Sequence, residues 1–335
     1  KSGAICIQAR KLFDIVRALD SGDVHFKKED NEWVTMKSSR ASYRLAGVNR
    51  DQFPEIPQFK STPLRLPAET FAYFIRNTAF AITNEQSRFT LSGAKFVIGD
   101  GSAKMVTTDG HRLAYVERAI DDKEAVMDTL IPKKALLELI KLSRGVGEVS
   151  FGEDPNHIYF ETEGRLLITR KLSGQFPNYE MVMPKDNDKS VVFDLEEMRN
   201  AVRRMSLIAD DRNRSIRLNV REGEIEVTAQ SAEEGEGTEV VQADYHGEAV
   251  QLGFNWQYLL EFLTNAATGD VFMAGSESAA TESSDGSAAA TAPAKEGKAP
   301  LRITFDFKDS NAQTQMSIAG ETTYDYKYIV MPLRI

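Results

Sequence analysis

The sequence predicts an α+β protein assembled from tandem copies of one helix-and-strand unit. Two observations predict it. A helical stretch followed by three short strand-like runs begins at Ile7 and recurs at Ile131, 124 residues later, and the Phe53-Pro54 pair that closes the unit recurs at Phe176-Pro177, 123 residues later. A third copy begins at Leu252 and closes at Pro332, 148 residues after the matching Pro184. Setting aside residues 274–300, 27 residues rich in Ala, Ser, Glu and Gly, shortens that spacing to 121. A period of this size, with paired helix-and-strand halves, marks repeated units in preference to unrelated segments.

The elements follow in order. Residues 9–19 read as a helix, with Leu12, Val16 and Leu19 on one face and Arg10, Asp14 and Arg17 on another. Strand-like runs at 24–27, 33–37 and 41–46 follow, and Asp51-Gln52-Phe53-Pro54-Glu55-Ile56-Pro57 closes the unit. The second copy has a helix over 132–144, strands at 148–151, 157–161 and 165–171, and a close from Gly174 to Pro184. The third has a helix over 255–266, strands at 270–273, 301–307 and 313–319, and a last run at 328–332. Between these halves lie others of matching type. Residues 64–66 lead into a helix over 67–78 and strands near 89–91, 95–99, 103–107 and 113–118. Residues 191–193 lead into a helix over 194–208 and strands at 215–220, 224–229 and 238–245.

The expected domains are therefore 1–60, half of a unit, then 61–188 and 189–335, with polar or Pro-containing linkers at 58–63 and 185–190. The segment 274–300 cannot bury enough apolar surface to order itself and reads as a disordered low-complexity insertion. The chain starts without Met, in what reads as mid-domain.

Composition narrows the function classes. The chain has 335 residues, 41% hydrophobic and 27% charged, as in ordinary globular protein. A single cysteine, Cys6, excludes an internal disulfide and fits a reducing, cytoplasmic compartment. No apolar run approaches the ~18–20 residues of a membrane span. The net charge of −9 argues against tight nucleic-acid binding by bulk attraction. The four histidines stand far apart with no metal-type spacing, and no phosphate-binding Gly-rich loop is present, so neither metal nor cofactor is expected. Gly99-Asp100-Gly101 and Gly235-Glu236-Gly237 read as turns.

Thr107-Thr108-Asp109-Gly110-His111-Arg112-Leu113-Ala114 lies between two apolar alternating runs, and its Asp-Gly pair favours a tight turn because both residues tolerate positive φ. Alone it is a hairpin tip with charged neighbours. Asp109 with His111 leaves an acid/base pair open, though no nucleophile accompanies it. Taken with Gly174-Gln175-Phe176-Pro177-Asn178-Tyr179 and the terminal Tyr328-Ile329-Val330-Met331-Pro332-Leu333-Arg334-Ile335, the stretch resembles the bacterial sliding clamps, the beta subunits of DNA polymerase III. The resemblance runs from about Gly3 to the last residue with one insertion, and it implies that the first half of the first clamp domain is missing.

It further implies tandem DNA-clamp repeats with helices lining an inner face and antiparallel sheets forming an outer rim. The function implied is that of a processivity factor, not an enzyme: a ring that encircles duplex DNA without reading its sequence. Its charge distribution suits this. The predicted helices carry +2 over 9–19, +3 over 132–144, 0 over 67–78 and 194–208, and −1 over 255–266, while the whole chain carries −9. Lys134 and Lys141 align seven apart, and Arg199 and Arg203 four apart, opposite apolar stripes. The expected DNA-facing residues are Arg10, Arg17, Arg76, Arg88, Lys133, Lys134, Lys141, Arg199 and Arg203. A modest positive lining favours sliding over tight phosphate contacts.

The resemblance also implies a rim pocket that receives short linear motifs of the DNA polymerase III catalytic subunit, the clamp loader, other polymerases and repair proteins. Its residues here would be Leu91, Thr108, Gly110, His111, Arg112, Leu113, Pro177, Val182, Asn255, Tyr258, Ile329, Val330, Met331, Pro332, Leu333 and Arg334. Met181 stands where many relatives carry a basic residue. For the full-length homodimer, Lys11, Arg40, Tyr43 and Leu45 would face Leu207, Ile208, Glu233, Glu234, Glu236 and Glu239 of a second copy. A clamp paralogue devoted to resistance or repair is the alternative within the family.

Overall fold

The computed structural model describes residues 4–55, 57–58, 63–85, 87–269 and 300–334. It is an α+β structure with few helices and large antiparallel sheets, divided into one compact unit over residues 1–58 and a second over 59–335.

The first unit contains β1 (Cys6–Ile7), α1 (Ala9–Arg17), β2 (Val24–Lys28), β3 (Val34–Ser38), β4 (Ala41–Leu45) and β5 (Gly47–Val48). β2, β3 and β4 form an antiparallel sheet with β4 at its edge, and β1 pairs with β5. Alternation puts Val34, Met36 and Ser38 on the buried face of β3. Helix α1 is amphipathic, yet none of its residues is buried, and Phe13 is 62% exposed.

In the second unit the elements run β6 (Leu64–Pro67), α2 (Ala68–Thr78), β7 (Gly93–Gly99), β8 (Ser102–Thr108), β9 (Arg112–Ala119), β10 (Met127–Pro132), α3 (Lys133–Leu142), β11 (Glu148–Glu153), β12 (His157–Thr162) and β13 (Arg165–Arg170). They continue with β14 (Lys189–Asp194), α4 (Leu195–Met205), β15 (Ser215–Arg221), β16 (Glu224–Ser231), β17 (Gly235–Asp244), β18 (Val250–Asn255), α5 (Trp256–Gly269), β19 (Arg302–Phe307), β20 (Thr314–Ile318) and β21 (Asp325–Val330). Among the described residues each of α2 to α5 is preceded by one strand and followed by three, a β-α-β-β-β half-unit, and α1 has the same order with the two-residue β5 added.

Paired halves exchange their first strands. β6 joins β11 while β10 joins β7, and β14 joins β19 while β18 joins β15. β21 then pairs antiparallel with β9, merging strands of two repeats into one twelve-stranded sheet in the order β10-β7-β8-β9-β21-β20-β19-β14-β17-β16-β15-β18. The remaining sheet is β13-β12-β11-β6.

The helices form in the expected places for readable reasons. In α4 the Asp194 carboxylate accepts the Glu197 backbone N–H at 2.8 Å, Glu196 and Glu197 occupy the first turn, and Arg203 and Arg204 the last. Its buried Leu195, Met198, Ala201, Val202 and Met205 follow helical spacing. α2 is almost wholly buried, because it lies between α3 and α5, and α5 in turn packs on α4. Beneath the helices runs one continuous core. Phe71 meets Phe151 edge-on at 5.1 Å, and Tyr73 stacks on Tyr324 at 3.8 Å across the seam between repeats.

Three expectations are corrected. Residues 89–91 form a 3-10 turn, not a strand, with Leu91 N–H donating to the Arg88 carbonyl. Gly235-Glu236-Gly237 opens β17 instead of forming a turn; a side chain at Gly237 would press on the Met205 Sδ at 3.1 Å. β10 and the first part of β18 are strands that the sequence reading did not separate from their neighbours. The expected strand at 270–273 and the insertion up to residue 299 lie outside the described residues.

Candidate functional site

The Thr108–Leu113 turn is built almost entirely from its own side chains. The Asp109 Oδ1 accepts the backbone N–H groups of His111 and Arg112 at 3.0 and 3.1 Å. The Thr108 hydroxyl donates to the Arg112 carbonyl at 2.6 Å and accepts from Gly110 N–H at 3.0 Å. Gly110 has φ 91°, and a Cβ there would lie 2.7 Å from the Arg88 Nη1, so only glycine suits the position. With its carboxylate also bound to Arg112, Asp109 is committed to the turn, and no Asp109–His111 acid/base pair forms.

Strand alternation then sorts the neighbouring residues onto two faces. Ala114, Val116, Tyr328 and Val330 enter the main core, whereas Leu113, Tyr115 and Ile329 point the other way. There they join Leu91, Val106, Leu130 and Phe176 in a second apolar cluster that contains no residue of an α-helix. Leu172, Tyr179 and Met183, from the segment after β13, pack against its side. The register that aligns it is the β9–β21 ladder, in which Leu113 faces Ile329. Beyond the ladder the tail continues over the cluster's end: Met331 N–H donates to the His111 carbonyl at 3.0 Å, and Leu333 N–H to the Gly253 carbonyl at 2.8 Å. Met331 is 40% exposed, Pro332 and Leu333 are half-buried, and Arg334 is exposed.

On the opposite side of the turn, Arg112 is buried to 7% side-chain exposure. Its Nε donates to Asp109 Oδ2 at 3.0 Å, Nη1 to Glu261 Oε2 at 2.5 Å and Nη2 to the Phe80 carbonyl at 2.9 Å. Its guanidinium lies 4.4 Å from the centre of the Tyr258 ring. Burial opposes its charge, but Tyr328 and Glu261 outweigh it and raise its pKa.

The structure thus gathers Leu91, Leu113 and Ile329 into one apolar floor, with Met331, Pro332 and Leu333 following directly from its last strand. His111 stacks on Tyr258 at 6.5 Å. Pro177 and Val182 lie on the segment that carries Phe176, Tyr179 and Met183. Val330 belongs to the main core and is not a pocket residue, because strand alternation turns it away from Ile329. The Asn255 Oδ1 accepts Gln257 N–H at 3.0 Å at the start of α5. Arg112 is a support beneath the floor, since each of its three guanidinium nitrogens already donates to a neighbouring oxygen. The sequence reading missed Val106, Leu130, Phe176, Tyr179, Phe80 and Glu261. Alternation marks a buried position, but not which segment covers it.

Among the expected DNA-facing residues, Lys134, Lys141 and Arg203 are exposed on α3 and α4, and Lys141 pairs with Glu138 at 2.8 Å. Arg199 is half-buried and paired with Glu196. Burial, and then the neighbouring charge of Arg144, lower the pKa of Arg76 on α2. Lys133 is held at the base of α3 by Asn84 Oδ1 at 3.1 Å, and burial lowers its pKa. Arg88 donates to the Asp109 carbonyl at 2.8 Å at the Thr108–Leu113 turn. In the first unit Arg10 and Arg17 are exposed on α1.

Of the expected subunit-contact residues, Tyr43 and Leu45 are half-buried on edge strand β4, with Lys11 and Arg40 exposed. In the second unit Leu207 is 75% exposed, Ile208 half-buried, and Glu233, Glu234 and Glu236 exposed around the β16–β17 turn. Glu239 is ion-paired with Arg204.

Comparison with known proteins agrees with this architecture. The family models for the DNA polymerase III beta subunit match residues 1–57 (N-terminal domain), 65–178 (central domain) and 180–281 (C-terminal domain). A beta sliding clamp of Pseudomonas putida is 32% identical over 337 residues, covering 99% of this chain and 82% of the relative. That of Chlamydia pneumoniae is 29% identical over 268 residues, covering 79% and 73%. The crystal structure of the Pseudomonas aeruginosa DNA polymerase III beta subunit superposes with a TM-score of 0.81 at 27% identity, covering 98% of this chain and 82% of that one. The chain belongs to the DNA polymerase III beta subunit family, the bacterial sliding clamps.

Proposed function

We infer that the chain acts as a processivity factor for a DNA polymerase, a clamp that encircles duplex DNA and tethers its partners through the apolar floor beside the Thr108–Leu113 turn. The observation that carries the tethering site is the second cluster: seven buried residues gathered on the sheet face away from the helices, bordered by an exposed turn and a partly exposed tail. Buried apolar residues in a floor with exposed polar rims suit an extended peptide with one or two apolar anchors. Met331 and Met183 adapt their shape to more than one anchor. Short linear motifs of the polymerase's catalytic subunit, the clamp loader and repair proteins have this chemistry. Exposed Met181, in place of a basic residue, favours apolar over acidic flanks in the bound motif.

For the DNA-facing surface the helices supply the candidates. Lys134, Lys141 and Arg203 are exposed on the helices of a chain of net charge −9. Such an arrangement attracts phosphate locally and repels it elsewhere.

Ring closure follows from the repeat. β21 is the third strand after its helix, and it pairs antiparallel with β9, the third strand after another. β4 and β17 hold the same place in their half-units. β4 is an edge strand, and β17 meets β14 only through Ala243 and Asp244, leaving the rest of that edge open. The same pairing between β4 of one copy and β17 of another joins copies head to tail, which is a heterologous contact that can close. The domains of this assembly are residues 1–60, 61–188 and 189–335.

A photoreactive polymerase-type peptide tests the tethering site. Cross-links mapped by mass spectrometry should fall on residues 172–183 and 329–333. Labelling confined to other surfaces would contradict the assignment.

A further inference from the structure

We propose that Glu261, on α5, is a positioning residue for the peptide pocket, acting through Arg112 across the seam between two repeats. The proposal rests on the pocket reading above.

The turn that borders the pocket belongs to one repeat, and the strand and tail that complete it belong to the next. Something must hold the two in register at the pocket itself, where the β9–β21 ladder ends at the Arg112–Val330 pair. Arg112 occupies that last rung. Its backbone N–H is bound by Asp109 and its carbonyl by Thr108, so a displacement of Arg112 moves the whole turn, including His111, whose carbonyl anchors the tail.

Four elements hold the guanidinium. Asp109 belongs to the turn and moves with it. The Phe80 carbonyl belongs to the segment after α2, in the same repeat. From the other repeat come the Tyr328 hydroxyl of β21, and the Tyr258 ring and the Glu261 carboxylate of α5, with Glu261 Oε2 2.5 Å from Nη1. A charge-assisted bond to a 7%-exposed guanidinium is strong and directional. Glu261 is itself aimed: its Oε1 accepts from Gln257 Nε2 at 3.1 Å, and the Gln257 Oε1 accepts from Arg214 Nη1 at 2.5 Å. The carboxylate is 32% exposed, so its loss leaves a buried cation short of one partner without opening a cavity.

The test is a peptide titration on the full chain, using a labelled synthetic peptide with the Gln and Leu/Phe pair of the polymerase motif. Four proteins are compared: the parent, Glu261→Gln, Arg112→Met, and the double variant. Glu261→Gln keeps the side chain's size and should weaken binding about tenfold, which is ~1.4 kcal/mol. Arg112→Met should weaken it at least as much, and adding Glu261→Gln to Arg112→Met should change little, because Glu261 acts through Arg112. Glu261→Asp, charged but shorter, gives a second reading should Glu261→Gln fold poorly: it should lose affinity while its melting temperature stays near the parent's. A Glu261→Gln or Glu261→Asp affinity within twofold of the parent, or losses that simply add in the double variant, would overturn the proposal. A Leu113→Ala control separates the two levels. If it binds like the parent, the pocket reading itself fails; if it loses binding while the Glu261 variants do not, only the positioning role fails.

Discussion

Truncation after Val330 removes Met331 to Ile335 and leaves the β9–β21 ladder whole. The fold loses two backbone hydrogen bonds, from Met331 to the His111 carbonyl and from Leu333 to the Gly253 carbonyl. At roughly 0.5–1.5 kcal/mol each, these amount to ~1–3 kcal/mol. For a unit of this size that is a fall of several degrees in melting temperature, not unfolding. The consequence for a bound peptide is larger. One or two apolar anchors buried against this wall are worth ~1.5–3 kcal/mol each, out of the ~8 kcal/mol of a micromolar complex. Without the wall the dissociation constant should rise at least tenfold, and beyond a hundredfold if both anchors are lost. Fluorescence anisotropy of a labelled polymerase-type peptide measures this, with thermal melting on the same samples. A truncated chain that binds within twofold of the parent would place the pocket elsewhere.

Other expectations follow from the same geometry. Lys134→Glu with Lys141→Glu should lower DNA retention and flatten its salt dependence, by up to about 2 in the log–log slope for two lost phosphate contacts; an unchanged slope would remove α3 from the DNA-facing surface. Phe13→Ser should shift stability by less than about 0.5 kcal/mol, because Phe13 is 62% exposed; a clear fall in melting temperature would show that α1 is covered. The Asp154 carboxyl is held below its usual range by the Tyr159 hydroxyl at 2.5 Å and by the Asn156 and His157 backbone N–H groups. A depressed folded-state pKa stabilises above the unfolded value and is lost as pH falls. Asp154→Asn should therefore melt earlier than the parent at pH 7, and the gap should narrow below about pH 4; a gap independent of pH would contradict this origin.

The helices were legible in the sequence because their apolar spacing and caps agree. The residues 194–208 expected for α4 enclose Leu195–Met205, with Asp194 as the cap. The repeat was legible as well: among the described residues β19, β20 and β21 follow α5 as β7, β8 and β9 follow α2. What failed was local reading of short segments. Phe89-Thr90-Leu91 has strand-like residues, yet three residues can close a 3-10 turn as readily as extend. Gly235 and Gly237 read as turn residues, but Gly237 is needed in a strand because Met205 and Ile208 approach it.

The pocket divides along similar lines. Leu113 and Ile329 could be paired from the sequence through resemblance, and alternation could have removed Val330 from the floor. Phe176 and Tyr179 could not be placed over the floor, since nothing local states where the segment after β13 turns back. Glu261 stands 149 residues from Arg112, and no periodicity joins them.

Encirclement is tested most directly on circular DNA. Full-length protein loaded onto a nicked circular plasmid should remain bound through gel filtration at moderate salt and should be released when the plasmid is linearised, because the ring then slides off a free end. Equal retention on the circular and linear forms would mean that the protein holds DNA by contact and not by topology, and would contradict the sliding-clamp function inferred here.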